Sequence, residues 1–265
     1  MPILNLLLVA IVQGITEFLP VSSSGHLVLL PNLTGLEDQG LVIDVAVHVG
    51  TLGAVILYFW SDVRRAITGL IRLNDLSDPD ARLALGLIVA TIPVILAGLA
   101  LKLSGFDEAL RSIAVVGWMT LIFGLVLYWA DQSGSTTKRA QDWTLRDAVI
   151  MGLWQVIALI PGTSRSGITI TGARKLGYER SEAARLAMLM SIPTIIASGT
   201  LIGIDVASSM DGAAARDSAI AAAFAFFAAL AALHFMMRLL RSVSFTPYVI
   251  YRIILGVALL AIAYG

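Results

Sequence analysis

A carboxylate, several hydroxyls and an imidazole stand close together near the N-terminus, where residues 13–26 read QGITEFLPVSSSGH. Gln13 and Glu17 are four residues apart and therefore share one face of a helix. A hydroxyl beside an imidazole or carboxylate base is an arrangement used in nucleophilic catalysis. We therefore take Glu17, Ser23 and His26 as candidate catalytic residues. The alternative is that Glu17 pairs locally and the serines only satisfy the backbone of a turn.

A second polar segment, residues 155–169, reads QVIALIPGTSRSGIT and contains Arg165 inside an apolar stretch. The planar guanidinium fork of arginine matches phosphate oxygens, so Arg165 is both a catalytic candidate and an anion-binding candidate. Glycines on either side let backbone N–H groups turn towards the same anion. A structural ion pair between Arg165 and Glu17 is the alternative. The candidate phosphate-binding residues of both segments are Ser22, Ser24, Ser164, Arg165, Ser166 and Thr169.

The composition places these polar segments in a lipid bilayer. The chain has 265 residues, of which 58% are hydrophobic and only 14% are charged. Charged and polar groups inside apolar segments are costly in a membrane and are by default functional. Lys+Arg and Asp+Glu both number 18, so no basic field indicates a nucleic-acid partner. The absence of cysteine excludes thiol catalysis and thiolate metal sites.

The apolar pattern predicts an all-α integral membrane protein with six transmembrane helices. A full span needs about 20 mostly apolar residues, and six segments approach that length. They are residues 42–60, 83–103, 112–130, 183–203, 218–237 and 247–264. Two further apolar stretches, 2–30 and 147–173, are interrupted midway by Pro, Ser and Gly. Their halves are too short to cross, so we expect two re-entrant helical hairpins.

The distribution of positive charge predicts the orientation. Thirteen of the 18 Lys and Arg residues fall in four stretches, 64–82, 138–146, 174–185 and 238–241, which we place on the cytoplasmic side. One hairpin and three spans make each half, and because three is odd the halves have opposite topology. The prediction is one membrane domain, 1–265, built as an inverted-topology repeat of residues 1–130 and 147–265. The site then opens to the extracytoplasmic side.

Asp44 and His48 are four residues apart on the first predicted span. Together with Gln13 they are candidates for a second layer of polar contacts around the site. Placement of Asp44 at the membrane interface, with no link to the site, is the alternative.

The two polar segments resemble the signatures of a known family, the undecaprenyl-diphosphate phosphatases or bacitracin-resistance proteins. The signatures are Glu/Gln-x-x-x-Glu leading into Pro-Val-Ser-Ser-x-Gly-His, and Pro-Gly-x-Ser-Arg-Ser-x-x-Thr. They match residues 13–26 and 161–169, and residues 43–51 and 244–248 are similar too, so the resemblance covers essentially the whole chain. Gln13 stands where some members carry a second Glu.

The resemblance implies a bacterial inner-membrane enzyme that hydrolyses undecaprenyl diphosphate to undecaprenyl phosphate and inorganic phosphate. Such an enzyme recycles the lipid carrier of peptidoglycan synthesis and confers bacitracin resistance. Its partners are the polyprenyl diphosphate and membrane lipids, and a homodimer is an alternative to a monomer. The resemblance also implies a divalent cation, Mg or Ca, for which Glu17 is the candidate ligand.

Two questions of mechanism stay open at the level of sequence. The attacking group is either Ser23, with His26 or Glu17 as base, or a water activated by Glu17. The alternative to an enzyme is a lipid-phosphate transporter or flippase, since inverted repeats with broken helices are the architecture of many carriers. The serine, histidine and carboxylate set favours an enzyme because binding an anion does not require it.

Overall fold

The structure, a computed structural model, describes residues 3–34, 40–106, 109–207 and 212–265. Within these ranges it is helical and contains no β-strand. The helices are α1 Ile3–Thr16, α2 Ser23–Thr34, α3 Gly40–Tyr58, α4 Trp60–Ile71, α5 Pro79–Ser104, α6 Ile113–Ser133, α7 Leu145–Val156, α8 Arg165–Lys175, α9 Arg180–Ala207, α10 Gly212–Leu239 and α11 Thr246–Tyr264. Single 3-10 turns lie at Ala109–Arg111, Ala140–Asp142 and Ile157–Leu159.

Six of the described helices, α3, α5, α6, α9, α10 and α11, are long and apolar enough to cross a membrane. The predicted all-α, multi-pass membrane protein is therefore confirmed. Helix α5 extends beyond its predicted bounds of 83–103, because residues at both of its ends cap it. Helix α5 begins at Pro79 because the Asp78 side chain accepts a hydrogen bond from the Asp80 N–H. It ends at Gly105, whose left-handed conformation stops the helix.

Both interrupted stretches break where the sequence predicts. Helices α1 and α2 are separated by residues 17–22, and the 3-10 turn at Ile157–Leu159 and residues 160–164 separate α7 from α8. Helix α1 contacts α2, and α7 contacts α8. Each stretch therefore consists of two short helices in contact, joined by a non-helical turn. Residue 2, the predicted start of the first stretch, lies outside the described residues.

Helix α4 was not predicted, because most of its residues fall in the arginine-bearing stretch 64–82, which we placed on the cytoplasmic side. It is amphipathic: Asp62 is buried, whereas Ile67 and Ile71 are exposed on its apolar side. Arg65 of α4 donates to Asp80 at the start of α5 at 2.7 Å. This contact holds α4 against α5, with which it packs.

The remaining helices pack pairwise through small residues. Helix α3 lies against α10, and a Cβ added at Gly50 would stand 2.1 Å from the backbone oxygen of Ala222. Only glycine at this position allows the two backbones to approach so closely. Helix α1 also packs on α10, α7 packs on α5, and α6 packs on α11.

A buried charge network fixes the C-terminal end of α8. Arg174 is fully buried and donates to the Asp131 carboxylate of α6 at 3.1 Å. Asp131 also accepts from the Phe245 N–H, just before α11, at 3.1 Å. Arg180 donates to the same carboxylate at 2.8 Å, so removal of Asp131 would leave the buried Arg174 without its counter-charge. The network positions the helix whose opposite end carries Arg165.

Candidate active site

The two helix breaks meet at a cavity of about 340 Å³. The first break contributes Glu17 and three serines, and the second contributes Gly162, Ser164 and Arg165. Its lining is completed by His48 of α3, Val94 of α5, Gln155 of α7 and residues of α9. The tertiary structure thus brings the two polar segments of the sequence to one place.

Glu17 and Arg165 form an ion pair in this cavity. Arg165 Nη2 donates to Glu17 Oε1 at 2.5 Å, and the two side chains are 17% and 7% exposed. Arg165 Nη1 donates to the backbone oxygen of Ser191 on α9 at 3.1 Å. These contacts hold the guanidinium in place while leaving part of it open to the cavity.

The second oxygen of Glu17 accepts from two neighbours. Gln13 Nε2 donates to Glu17 Oε2 at 2.7 Å, and Ser23 Oγ donates to the same oxygen at 3.2 Å. Ser23 is the first residue of α2 and lines the cavity. A hydroxyl that donates to a carboxylate is oriented for proton transfer to that carboxylate.

Gln13 and His48 lie on the side of Glu17 away from Arg165. Gln13 Nε2 stands 3.2 Å from His48 Nε2, and His48 Nδ1 stands 2.7 Å from the backbone oxygen of Asp44. Because a carbonyl oxygen only accepts, Nδ1 carries a proton, and Nε2 is the ring nitrogen that faces Gln13. Asp44 therefore contributes to this layer through its backbone carbonyl.

A serine with a positive φ angle precedes each of the two helices that begin at the cavity. Ser22 has φ 73° and precedes α2, and Ser164 has φ 70° and precedes α8. Such a conformation costs a non-glycine residue free energy and is concentrated at functional sites. Both helices begin at the cavity, so the positive ends of their dipoles favour a bound anion, although Ser164 Oγ already accepts from the Gly167 N–H of α8 at 3.1 Å.

The serines also join one break to the other. Ser24 Oγ accepts from the Gly162 N–H at 3.1 Å, and Ser166 Oγ donates to the backbone oxygen of Leu19 at 2.9 Å. Thr169 Oγ1 donates to the backbone oxygen of Arg165 at 2.8 Å. Ser24 lines the cavity, but Ser166 and Thr169 are not among its lining residues. Their hydroxyls instead hold the turn that presents Arg165.

A family model described as bacitracin resistance protein BacA matches residues 6–258. The chain belongs to this family. Relatives named undecaprenyl-diphosphatase from Ruegeria pomeroyi and a Jannaschia species are 70% and 68% identical to it, each over the full length of both chains. A third relative of that name, from Saccharophagus degradans, is 43% identical over the whole chain and 99% of its own length.

His26, a predicted catalytic residue of this BacA family member, does not line the cavity. Its Nδ1 lies 2.7 Å from the backbone oxygen of Ser22, and its Nε2 lies 2.6 Å from the hydroxyl of Tyr251 on α11. The His26 and Tyr251 rings are stacked with centroids 5.5 Å apart. The His26 side chain therefore contacts α11 and not the cavity, which sequence spacing does not reveal.

Gln155 lines the cavity but was not among the predicted site residues. Its Nε2 donates to Thr194 of α9 at 3.1 Å, and its Oε1 has no partner among the described residues. The sequence contains a pattern that could have identified Gln155. Gln155 precedes Ser164 by the same nine residues that separate Gln13 from Ser22.

The donors at the cavity do not form a resident divalent-cation site. The described part of the chain holds no group of three or more His, Asp and Glu side chains suited to a metal ion. Among the residues that the structure describes, Glu17 is the only carboxylate lining the cavity, and both of its oxygens are engaged by Arg165, Gln13 and Ser23. Mg²⁺ and Ca²⁺ require several oxygen ligands.

Proposed function

We infer that this protein is an undecaprenyl-diphosphatase. It hydrolyses undecaprenyl diphosphate to undecaprenyl phosphate and inorganic phosphate, which recycles the lipid carrier of peptidoglycan synthesis and confers bacitracin resistance. Full-length relatives of up to 70% identity carry that name. The structural observation that carries the proposal is the contact of Glu17 with both Arg165 and Ser23 in one cavity.

We propose that the second break and the two helix starts bind the terminal phosphate. Arg165 exchanges part of its contact with Glu17 for phosphate oxygens, and Ser164, Ser22 and Ser24 supply hydroxyl groups beside it. The N-terminal amides of α2 and α8 add two sets of donors. Fixed donors of this kind offset the charge on the equatorial oxygens during phosphoryl transfer, where most of the catalysis arises.

Ser23 is the proposed nucleophile. Its Oγ forms a bond to the terminal phosphorus, its proton passes to Glu17 Oε2, and the bond from phosphorus to the bridging oxygen breaks. Undecaprenyl phosphate leaves with that oxygen. Glu17 releases this proton to solvent and is again a carboxylate. It then takes a proton from water, which attacks the phosphoserine, and it returns that proton to Ser23 Oγ as inorganic phosphate is released. Direct attack by water on the substrate is the alternative, and the 3.2 Å hydrogen bond between Ser23 and Glu17 favours the covalent route.

The predicted catalytic role of His26 stays a prediction. In the proposed mechanism His26 fixes the carbonyl of Ser22, and hence the turn that carries Ser23, through its 2.7 Å hydrogen bond. A homodimer likewise stays a prediction.

We propose that any divalent cation enters with the substrate. The diphosphate oxygens provide the ligands that the cavity lacks. Glu17 is then at most one ligand among those of the lipid headgroup.

The pattern of helix contacts supports an inverted repeat of residues 1–130 and 147–265. Helix α1 packs on α10, and α7 packs on α5 in the same way. Helix α2 contacts α11, and α8 contacts α6. Helix α3 contacts α10, and α9 contacts α5. Exchanging the halves therefore reproduces these three contacts. The positive φ angles of Ser22 and Ser164 fall at matching positions. We propose that both helix pairs are re-entrant hairpins and enter the bilayer from opposite sides.

The orientation follows from the charges. The arginine-rich stretches lie in the cytoplasm by the positive-inside rule, and the cavity opens to the extracytoplasmic side of the bacterial inner membrane. This opening gives a lipid diphosphate in the extracytoplasmic leaflet access to the cavity.

Release of inorganic phosphate by the purified protein in detergent tests the function. An enzyme hydrolyses undecaprenyl diphosphate without a sealed membrane, whereas a flippase needs two compartments. We expect turnover by the native chain and a loss of at least about 100-fold in Glu17→Gln, which lacks the carboxylate base. Glu179→Gln, which removes a surface carboxylate, is the matched control. Absence of phosphate release, with transport in vesicles, would establish the flippase instead.

A further inference from the structure

A groove of about 480 Å³ lies between α3 and α9, which contact each other, and takes no part in the proposed chemistry. One wall is a single face of α3, formed by Leu41, Asp44, Val45, His48, Val49 and Leu52. The other wall is formed by residues of α9 between Ile195 and Thr200. From Leu41 to Leu52 the groove follows α3 for about 16 Å.

The groove begins at the active-site cavity. His48, Ile195 and Ser198 line both spaces. Arg165 lines only the cavity, and Gly199 lines only the groove. A molecule with its head group at Arg165 can therefore extend past the three shared residues into the groove.

The polar side chains at this junction already have partners within the protein. Ser198 Oγ donates to the backbone oxygen of Thr194 at 3.1 Å. His48 Nδ1 donates to the backbone oxygen of Asp44 at 2.7 Å, and its Nε2 lies 3.2 Å from Gln13 Nε2. A hydrocarbon chain can therefore lie against Ser198 and His48 without taking a hydrogen bond away from either of them.

The lining of the groove suits hydrocarbon. Six valine, leucine and isoleucine side chains contribute to it. The hydroxyl of Thr200 donates to the backbone oxygen of Ile196 at 2.8 Å, so it too is bonded to its own helix. Among the described residues that line the groove, Asp44 and Arg111 carry charges of opposite sign. The groove therefore does not select an anion, in contrast to the cavity from which it begins.

The groove is open to the bilayer along one side. Val49 of α3 is 57% exposed and Ile196 of α9 is 47% exposed. Both helices are long and apolar enough to span the membrane, so their exposed apolar side chains face lipid. A long hydrocarbon chain can thus leave the groove between α3 and α9 without crossing water.

Gly199 keeps the groove open. A Cβ added at Gly199 would meet no other described atom within 4 Å. A Cβ added at Gly50, on the opposite side of α3, would instead stand 2.1 Å from the backbone oxygen of Ala222. A large side chain at Gly199 would therefore fill the groove without pushing two helices apart.

We propose that this groove binds the first isoprene units of the substrate's hydrocarbon tail, and that Gly199 provides the width that a branched prenyl chain needs. The inference rests on the proposed function, because it assumes a diphosphate head group at Arg165. The tail lies along α3, passes Val49 and continues into the bilayer. Burial of its apolar surface adds affinity that the head group alone does not have.

Photochemical cross-linking shows where the tail lies without requiring turnover. The probe is a farnesyl analogue with a diazirine on its second isoprene unit and a non-hydrolysable methylene-diphosphonate head group. In vesicles of phosphatidylethanolamine and phosphatidylglycerol, we expect label on the peptides that contain Val49 or Gly199. Gly199→Phe should reduce this label at least about tenfold. Gly212→Phe makes the same change at another glycine with open space beside it, at the start of α10, and should keep the label.

Phosphate release by the same variants separates the tail from the head group. Isopentenyl diphosphate carries a single isoprene unit, which does not extend along the groove, whereas farnesyl diphosphate has a longer tail. Gly199→Phe should lower kcat/KM for farnesyl diphosphate at least about tenfold, chiefly through KM, and leave that for isopentenyl diphosphate within about twofold. Gly212→Phe should leave both unchanged.

Three outcomes would overturn the proposal. Label near Val94 of α5 instead of the groove would place the tail on the other side of the cavity. Label that excess unlabelled undecaprenyl phosphate does not displace would indicate a groove for ordinary membrane lipid. Equal losses with both diphosphates in Gly199→Phe would indicate a distorted head-group site. Failure of the proposed function appears separately, because the native protein would then release phosphate from neither diphosphate, whatever the position of the label.

Discussion

Arg165 Nη2 and Glu17 Oε1 are 2.5 Å apart, although the two residues are separated by 148 positions in the chain. The pair joins the first helix break to the second, and each partner compensates a charge that would be costly at membrane depth. The role of such an ion pair is either structural or catalytic. The two roles predict different effects of a double substitution on stability and on activity.

Conversion of the pair to two neutral side chains separates these roles. Glu17→Gln with Arg165→Gln removes both charges, so we expect a thermal midpoint nearer the native value than that of either single variant. Phosphate release should nevertheless remain at least about 100-fold below native, because the base and the anion contact are both gone. Recovery of turnover together with stability would assign the pair a purely structural role.

Arg165→Lys keeps the positive charge but loses the guanidinium fork, so it should also lose activity. Arg238→Lys is the control.

A phosphoenzyme on Ser23 is the second prediction. Rapid acid quench of the protein with substrate labelled in the terminal phosphate should leave label on the peptide that contains Ser23, since its Oγ already donates to Glu17 at 3.2 Å. Ser23→Ala should abolish both label and turnover. Ser198→Ala alters another hydroxyl of the same cavity and should retain both. Label absent from native protein when an intermediate accumulates would indicate direct attack by water.

Gln13→Glu should create the cation site that the native chain lacks. The substitution places a second carboxylate about 2.7 Å from Glu17 Oε2, in place of an amide donor at that distance. Two carboxylates so close repel unless a proton or a cation lies between them. We expect substrate-free Gln13→Glu to bind Mn²⁺, detectable by the loss of the free-ion signal in electron paramagnetic resonance, and the native protein to bind none there. Gln132→Glu, on the exposed end of α6, serves as control. Tight Mn²⁺ binding by the native protein that Glu17→Gln abolishes would contradict our interpretation of the donors.

Arg252 of α11 should prove essential for stability. It is fully buried and donates to backbone oxygens of both breaks, Pro20 at 3.4 Å and Gly162 at 3.1 Å, and to Thr120 of α6 at 3.0 Å. A lysine offers no fork and cannot reach several carbonyls together. We expect Arg252→Lys to lower the free energy of unfolding by about 2–4 kcal/mol, measured as a thermal shift in detergent. A midpoint equal to that of the exposed control Arg238→Lys would show that these bonds contribute little.

The proposed orientation is testable because the chain contains no cysteine. Ser198 is exposed and lines the active-site cavity, and Ser133 is exposed at the end of α6. In intact cells freed of the outer membrane, a membrane-impermeant maleimide should label Ser198→Cys directly. Ser133→Cys should react only after the inner membrane is permeabilised. The reverse pattern would place the cavity on the cytoplasmic side.

The sequence by itself determined the elements that depend on local pattern. Six apolar runs of membrane length gave the spanning helices, since burial of backbone polar groups in lipid leaves helix as the outcome for such runs. Proline and serine clusters marked the two breaks for the same local reason. The costly charges Glu17 and Arg165 were recognisable because a bilayer makes isolated charge rare.

The tertiary structure decided which polar groups meet. The amphipathic α4 was missed because its tolerance of Asp62 and Arg65 depends on partners in α5 and α9. Sequence spacing placed His26 beside Ser23, but its ring lies against Tyr251, which is 225 residues away in the chain. Arg252 had no predicted role, since its partners are backbone carbonyls of α6 and of the two helix breaks, which lie far from it in the chain. Hydrogen bonds between distant segments depend on packing that no local pattern encodes, and here they shape the cavity.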